Sequence, residues 1–117
     1  MQSRPSVPEL DKKLKSAIEF VDNGKVLQIN HGAIAGDAIE LGYMIGDLHN
    51  VLLAILAEVK PEYYIGKRPP EKAYASQIKG SELFSFKWQC KRFGCEVYFK
   101  FCLKEDMFYL VSLHQNR

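Results

Sequence analysis

The chain has 117 residues, of which 47% are hydrophobic and 26% are charged. We therefore treat residues 1–117 as a single globular domain with a modest core, and exclude a chain that is disordered throughout. The largely apolar run Val51 to Val59 is too short to span a bilayer, and no charged-then-apolar leader opens the sequence. We predict a cytoplasmic protein that does not contact the membrane.

The charges are unevenly distributed along the chain. Residues 1–60 carry 6 basic and 8 acidic side chains, whereas residues 61–117 carry 10 basic and 6 acidic ones. A basic C-terminal half favours a polyanionic partner, although solvated lysines along a sheet edge give the same count.

The three cysteines, Cys90, Cys95 and Cys102, form no CxxC pair. We expect reduced thiols that pack as small apolar side chains, rather than a disulfide framework or a zinc site. No metal site or cofactor is predicted.

The N-terminal part of the chain predicts a tail, a helix and a short strand. Met1 to Pro8 contains two prolines and no periodic pattern, so we expect a loose tail. Apolar residues at helical spacing predict a helix from Leu10 to Val21, ended near Gly24 in the left-handed conformation. The brief alternation of Lys25 to Asn30 is typical of a strand.

Two further helices and a loop follow. The segment His31 to Gly42 predicts a short helix that ends at Gly42. Asp47 is placed to cap the next helix, whose apolar stripe runs from Leu48 to Val59 and which Pro61 stops. Residues 62–79 contain a glycine and a Pro-Pro pair, which predict an aromatic and basic loop.

From Leu83 onward the hydrophobic period changes to two. The stretches LFSFKWQ, VYFKFCL and MFYLVSLH alternate, and short turns at Gly94 and at Lys104 to Asp106 separate them. Three such strands predict an antiparallel meander. We therefore predict an α+β fold in which N-terminal helices pack on an antiparallel β-sheet.

The last hairpin is predicted to have one apolar and one polar face. Suppose that the residue numbers of each cross-strand pair add up to an even value. The polar face is then shared by Tyr98, Lys100, Ser112 and His114. A slip by one residue would bury His114, so this register is favoured. The same pattern assigns the following residues of the final strand to the core: Met107, Tyr109, Val111 and Leu113.

This polar face contains the groups needed for proton transfer on a phosphodiester. A histidine such as His114 can act as acid or base, and Lys100 can stabilise the negative charge of a phosphorane-like transition state. Tyr98 can donate to a phosphate oxygen or stack on a base. RNA supplies its own nucleophile, the 2′-hydroxyl, so neither a metal nor a covalent serine is required. The alternative is a solvated face of an edge hairpin.

Further basic and polar residues are candidates for RNA contacts. Lys87 and Gln89 share a strand face with Ser85, and Arg92 flanks the next turn. The proline-containing loop is predicted either to grip RNA by phosphate contacts and stacking or to be simply a solvated basic loop. Its basic candidates are Lys67, Arg68 and Lys72.

Four segments in order give the chain a family resemblance: DAIELGYMIGDLHNVLLAIL, EYY, VYFKF and LVSLH. Together they resemble the MqsR (motility quorum-sensing regulator) family, mRNA-cleaving toxins of bacterial toxin–antitoxin pairs that act free or on the ribosome. The resemblance implies a RelE-like fold, mRNA as the substrate, the ribosome as a possible site of action, and a cognate antitoxin as partner.

Two functional positions of the family have counterparts in the last hairpin. The family's functional tyrosine lies in a VYLK strand, which is similar to the strand holding Tyr98 and Lys100. The family's C-terminal functional lysine follows VSF, whereas His114 follows VSL here. The resemblance thus implies catalytic roles for Tyr98, Lys100 and His114.

Two other positions depart from the family pattern. Ile65 stands where the family has a lysine after FYK, so Lys67 is the nearest candidate for the fourth catalytic residue. Ser85 stands where the family has a glutamine, 13 residues before the tyrosine. The sequence predicts an endoribonuclease toxin. The alternatives are a non-catalytic RNA-binding module of the same fold and a RelE- or ParE-like toxin with a non-RNA target.

Overall fold

A computed structural model describes residues 4–116 of the chain. Three α-helices and a four-stranded sheet make up this part, which confirms the predicted α+β class with helices packed on a sheet. In chain order the elements are α1 (Val7–Asp22), β1 (Val26–Gln28), α2 (His31–Leu41), α3 (Leu48–Glu58), β2 (Phe84–Cys90), β3 (Cys95–Lys104) and β4 (Met107–Gln115). Single 3-10 turns lie at Ile45–Asp47, Pro61–Tyr63 and Ser76–Ile78.

The first helix begins earlier than predicted. The hydroxyl of Ser6 accepts a hydrogen bond from the backbone N–H of Glu9 at 3.2 Å, and Pro8 lies in the first turn, where a proline is tolerated. The prediction of a loose tail is therefore wrong for residues 4–8. Its first three residues lie outside the described part of the chain.

The helix ends mostly match the expected signals. Gly24 follows α1 with a φ of +73°, the left-handed conformation that was predicted for it, and Gly42 ends α2 as predicted, with a φ of +83°. Asp47 occupies the cap position of α3, but its side chain makes no capping bond there. Within residues 4–116 no single helix is long and apolar enough to cross a bilayer, and the pair formed by α2 with Ile45–Glu58 is bent by 97°.

The sheet is mixed, with strand order β1-β4-β3-β2. Strands β2, β3 and β4 form the predicted antiparallel meander. β1 adds a fourth strand parallel to β4, with Val26 opposite Phe108. A parallel pair needs a long connection, which the intervening chain from α2 to β3 provides.

The turn between β3 and β4 is tighter than predicted. Lys104 pairs with Met107, so only Glu105 and Asp106 form the loop, and both have positive φ, at 52° and 61°. Two such residues are typical of the hairpin turn whose twist matches that of the flanking strands. Next to this turn the numbers of two paired residues add up to an odd value, as for Lys104 and Met107. On the predicted polar face they add up to an even value, as for Tyr98 and His114, so one regular register cannot satisfy both.

A β-bulge resolves the conflict. Lys100 pairs with Ser112 but Phe101 pairs with Leu110, so Val111 is an extra residue on β4. Beyond the bulge, towards the chain end, the predicted even register holds. Between the turn and the bulge, each side chain of β4 points to the face opposite to the one predicted for it.

The exchange corrects the predicted core residues of β4. Phe108 and Leu110 are fully buried on the helix side, together with Leu113, which alone of the predicted set faces that way. The others belong to or pack against a second cluster on the opposite side: Met107, Tyr109 and Val111.

Two hydrophobic clusters hold the fold together. The main core lies between the helices and the sheet, and its largest fully buried residues on the strands are Phe84, Phe86, Phe99, Phe101 and Phe108. The smaller cluster forms where the loop before β2 covers part of the sheet's other face, and it contains Ala73, Ile78, Cys102 and Tyr109. The loop therefore leaves only one half of that face open.

Candidate functional site

Polar residues of three strands share the uncovered half of the sheet, which we call the open face. Lys87 lies opposite Tyr98, and Tyr98 lies opposite His114. The prediction that the tyrosine and the histidine share one face is confirmed. By strand alternation the open face comprises Ser85, Lys87, Gln89, Glu96, Tyr98, Lys100, Ser112 and His114.

The centre of the open face is an aromatic pair. The rings of Tyr98 and His114 are stacked, with centroids 5.2 Å apart and planes inclined by 14°. This separation is within the range of favourable ring stacking. Both residues are half-buried, so part of the pair is accessible from solvent.

The ring of His114 is oriented by its neighbour in the chain. Its Nδ1 lies 2.9 Å from the backbone carbonyl oxygen of Gln115. A carbonyl can only accept, so this contact is a hydrogen bond when Nδ1 carries the proton. The neutral imidazole then has its lone pair on Nε2, which suits that atom to take a proton from a substrate.

The phenol of Tyr98 is fixed by a buried serine. Its hydroxyl donates to Ser85 Oγ at 3.3 Å, and Ser85 is only 6% exposed. The position at which the chain departs from the family pattern thus holds the partner of the tyrosine. Sequence reasoning placed Ser85 on a strand face with Lys87 and Gln89 but assigned it no role, because its contact with Tyr98 depends on the pairing of β2 with β3.

Cations flank the aromatic pair. The ammonium of Lys100 lies 5.6 Å from the centroid of the Tyr98 ring, a cation–π contact. Lys87 is the direct neighbour of Tyr98 on β2 and is exposed, and Gln89 lies further along β2, opposite Glu96. The two lysines give the centre of the open face a positive charge.

The loop candidates lie elsewhere. The guanidinium of Arg68 donates to the carbonyl of Pro5 and lies 5.0 Å from the centroid of the Tyr64 ring. The hydroxyl of Tyr64 donates to the backbone carbonyl of Lys67 at 2.6 Å. Arg68 therefore ties the loop to the N-terminal segment, and the side chain of Lys67 is exposed nearby.

Lys72 and Arg92 are also outside the centre of the open face. Lys72 forms a backbone bridge with Glu82, five residues before Lys87, which is about 16 Å along a strand. The guanidinium of Arg4 donates hydrogen bonds to the Glu82 carboxylate, and these bonds hold the pKa of Glu82 below its ordinary value. The positive charge of Lys72 lowers this pKa further. Arg92 lies in the β2–β3 turn.

The Ile65 position lies at the rim of the site. Tyr64 forms a bridge with Phe86, and the N–H of Ile65 donates to the carbonyl of Ser85 at 2.9 Å. Since Tyr64 packs in the main core, alternation turns Ile65 towards the open face, where it is 47% exposed. An apolar side chain thus stands beside the buried serine.

A carboxylate anchors the hairpin that carries the site. Glu58 accepts hydrogen bonds from the backbone N–H groups of Lys91 and Arg92 at 2.8 and 2.9 Å and from the Trp88 indole at 3.2 Å. The thiol of Cys90 also donates to it, at 3.5 Å. Burial alone would raise the pKa of the Glu58 carboxyl, but these bonds outweigh it and lower the pKa. Sequence reasoning missed this contact between distant segments.

Other places in the described part of the chain do not add to the site. A cleft of about 430 Å³ lies between α1 and the β3–β4 turn, lined among others by Lys12, Phe20 and Leu103, and no open-face residue lines it. Residues 4–116 contain no group of three or more His, Cys, Asp or Glu side chains that could hold a metal ion.

Comparison with known proteins adds no assignment. Neither the scan against protein-family models nor the search of curated proteins finds a match to this chain. The resemblance to MqsR toxins therefore stays a prediction from the sequence.

Proposed function

We propose that the chain is an endoribonuclease toxin that cleaves single-stranded mRNA on the open face. The observation that carries the proposal is the stacked pair of Tyr98 and His114 with Lys87 and Lys100 beside it. A basic surface with a partly exposed aromatic ring is suited to a single strand, because it binds phosphates and stacks on bases at the same time.

In the proposed reaction His114 is the base. Its Nε2 takes the proton of a ribose 2′-hydroxyl, and the oxygen attacks the adjacent phosphorus. The bond from phosphorus to the 5′-oxygen of the next nucleotide then breaks, that oxygen receives a proton from solvent water, and the protonated His114 returns its proton to the solvent. The products are a 2′,3′-cyclic phosphate and a 5′-hydroxyl end. Because the nucleophile belongs to the substrate, the reaction needs no metal-bound water.

The neighbouring residues position the RNA strand and stabilise the transition state. Lys87 and Lys100 lie where they can balance the charge that develops on the phosphoryl oxygens. The hydroxyl of Tyr98 already donates to Ser85, so its ring is held for stacking on a base and its oxygen can accept. Gln89, Lys67 and Arg92 are proposed to contact the strand further from the cleavage point.

The biological setting of the proposal follows from the family resemblance. It comprises a cytoplasmic toxin, a cognate antitoxin that neutralises it, and mRNA that is cleaved either free or on the ribosome. Arg68 and Lys72 are not assigned to RNA in this proposal, since Arg68 contacts Pro5 and Lys72 lies beside Glu82.

Cleavage of a 5′-labelled single-stranded RNA by the purified chain tests the proposal. We expect fragments with 2′,3′-cyclic phosphate ends, and a loss of at least about 100-fold in rate for His114→Ala because the base is removed. Tyr98→Phe keeps the ring and loses one hydrogen bond, so we expect a loss of about 10-fold. His49→Ala, which removes an exposed imidazole on α3, is the matched control and should cleave like the wild type.

The alternatives predict different outcomes. The apolar Ile65 beside Ser85 favours a non-catalytic RNA-binding module, which would bind the labelled RNA and leave it intact. Primer extension after brief expression in cells tests the other alternative, a RelE- or ParE-like toxin whose target is not RNA. Growth arrest with intact transcripts and damaged DNA would indicate a toxin with a non-RNA target.

A further inference from the structure

Two cysteines face each other at the end of the β2–β3 hairpin. Cys90 and Cys95 are the last pair of this antiparallel ladder before the turn. Direct antiparallel partners have Cα atoms about 4.5 or 5.5 Å apart, and disulfides bridge Cα separations of about 4.4 to 6.8 Å. The two side chains also share the helix side, where Cys90 belongs to the main core and Cys95 packs against it.

The environments of the thiols differ. Cys90 is fully buried, and this burial raises the pKa of its thiol. Cys95 is partly exposed, so an oxidant in solution reaches it first. The third thiol, Cys102, is buried in the second cluster on the opposite side of the sheet, and burial raises its pKa to about 11. All three are free thiols in this structure.

We propose that Cys90 and Cys95 are a modification site, at which hydrogen peroxide drives formation of a reversible disulfide across the hairpin. The thiolate of Cys95 attacks the peroxide, an S–O bond forms, the O–O bond breaks and hydroxide leaves, which gives a sulfenic acid. The sulfur of Cys90 then attacks that of Cys95. The S–S bond forms, the S–O bond breaks, and the hydroxyl leaves as water with the thiol proton.

Oxidation changes the hairpin that carries the open face. The thiol of Cys90 loses the proton that it donates to Glu58, whereas the N–H groups of Lys91 and Arg92 still hold that carboxylate. The β2–β3 turn becomes covalently closed, so the hairpin resists unfolding more strongly. The disulfide is detected by its mass and not by RNA cleavage, so this proposal can be tested whether or not the chain is a nuclease.

Peptide mapping of the full chain tests it. The reduced protein is diluted, treated with a few equivalents of hydrogen peroxide, unfolded, alkylated and digested with trypsin. We expect a cross-linked peptide pair about 2 Da lighter than the sum of its reduced parts, since two thiol hydrogens are lost, and its disappearance on reduction. Cleavage after lysine and arginine places each cysteine on its own peptide: Trp88–Lys91, Phe93–Lys100 and Phe101–Lys104.

Variants identify the partners. Cys102→Ser should form the same cross-link, whereas Cys90→Ser should stop at a sulfenic acid on Cys95 that dimedone traps. Peroxide should raise the unfolding temperature of the wild type but not that of Cys95→Ser. The inference is overturned by a wild-type map that shows no cross-link, a cross-link through Cys102 or only disulfides between chains. The wild-type map decides which cysteines are joined, and non-reducing electrophoresis of the same sample separates a cross-link within one chain from one between chains, even if a variant fails to fold.

Discussion

Removal of the Glu58 carboxylate should release the hairpin that carries the open face. Glu58→Ala leaves the N–H groups of Lys91 and Arg92 and the indole of Trp88 without their acceptor. A bond to a charged group contributes about 1.5 to 3 kcal/mol when it is shielded from water. Since the turn is exposed and water can replace the carboxylate, we assign about 1 kcal/mol to each backbone bond. The free energy of unfolding should therefore fall by about 2 kcal/mol.

Urea unfolding followed by tryptophan fluorescence measures this loss. Trp88 is the chain's single tryptophan and donates to Glu58 itself, so its emission reports on this contact. Glu62→Ala removes the same charge at an exposed position four residues further on, and should change the unfolding free energy by less than about 0.5 kcal/mol. An equal loss in both variants would refute the assignment of an anchoring role to Glu58.

The pH dependence provides an independent check. The pKa of Glu58 is lowered in the folded chain from its ordinary value of 4.5, so the unfolded chain binds this proton more tightly. The stabilisation is therefore fully present above pH 4.5 and is lost as the pH falls through the lower, folded-state pKa. The stability difference between wild type and Glu58→Gln should be constant from neutral pH to about 5.5 and shrink in acid. A difference of the same size at both extremes would contradict the reasoning.

Three further variants, one of them a control, test the local backbone. In Gly66→Ala the new Cβ would clash with the hydroxyl of Tyr64, which is held by its hydrogen bond to the backbone carbonyl of Lys67, so unfolding measurements should show a loss of about 1 to 3 kcal/mol. Gly36→Ala, in α2 with no atom within 4 Å of the new Cβ, is the control and should instead gain about 0.5 to 1 kcal/mol. Replacing Glu105 by Asn and Asp106 by Gly suits their positive φ and should raise the unfolding free energy by about 1 kcal/mol. No gain from the double change would argue against the two-residue turn.

Local chain geometry made the helices and the meander predictable. The 3.6-residue period of α1 and α3 and the two-residue period of the strands depend only on neighbouring residues. The same alternation put Tyr98 and Lys100 on one face before any strand partner was known. The start of α1 was also encoded locally, since Ser6 with Glu9 three residues later is a helix-capping pattern, but the two prolines concealed it.

Long-range pairing decided the rest. The bulge at Val111 arises because the two-residue turn demands an odd register while the outer part of the hairpin keeps an even one, and only the assembled sheet reveals that conflict. Likewise Ser85 meets Tyr98, and Glu58 meets Lys91, across 13 and 33 residues of chain. Alternation tells which side of a strand a residue faces. Which atoms it contacts there depends on how strands and helices pack together, and that is set by the whole core.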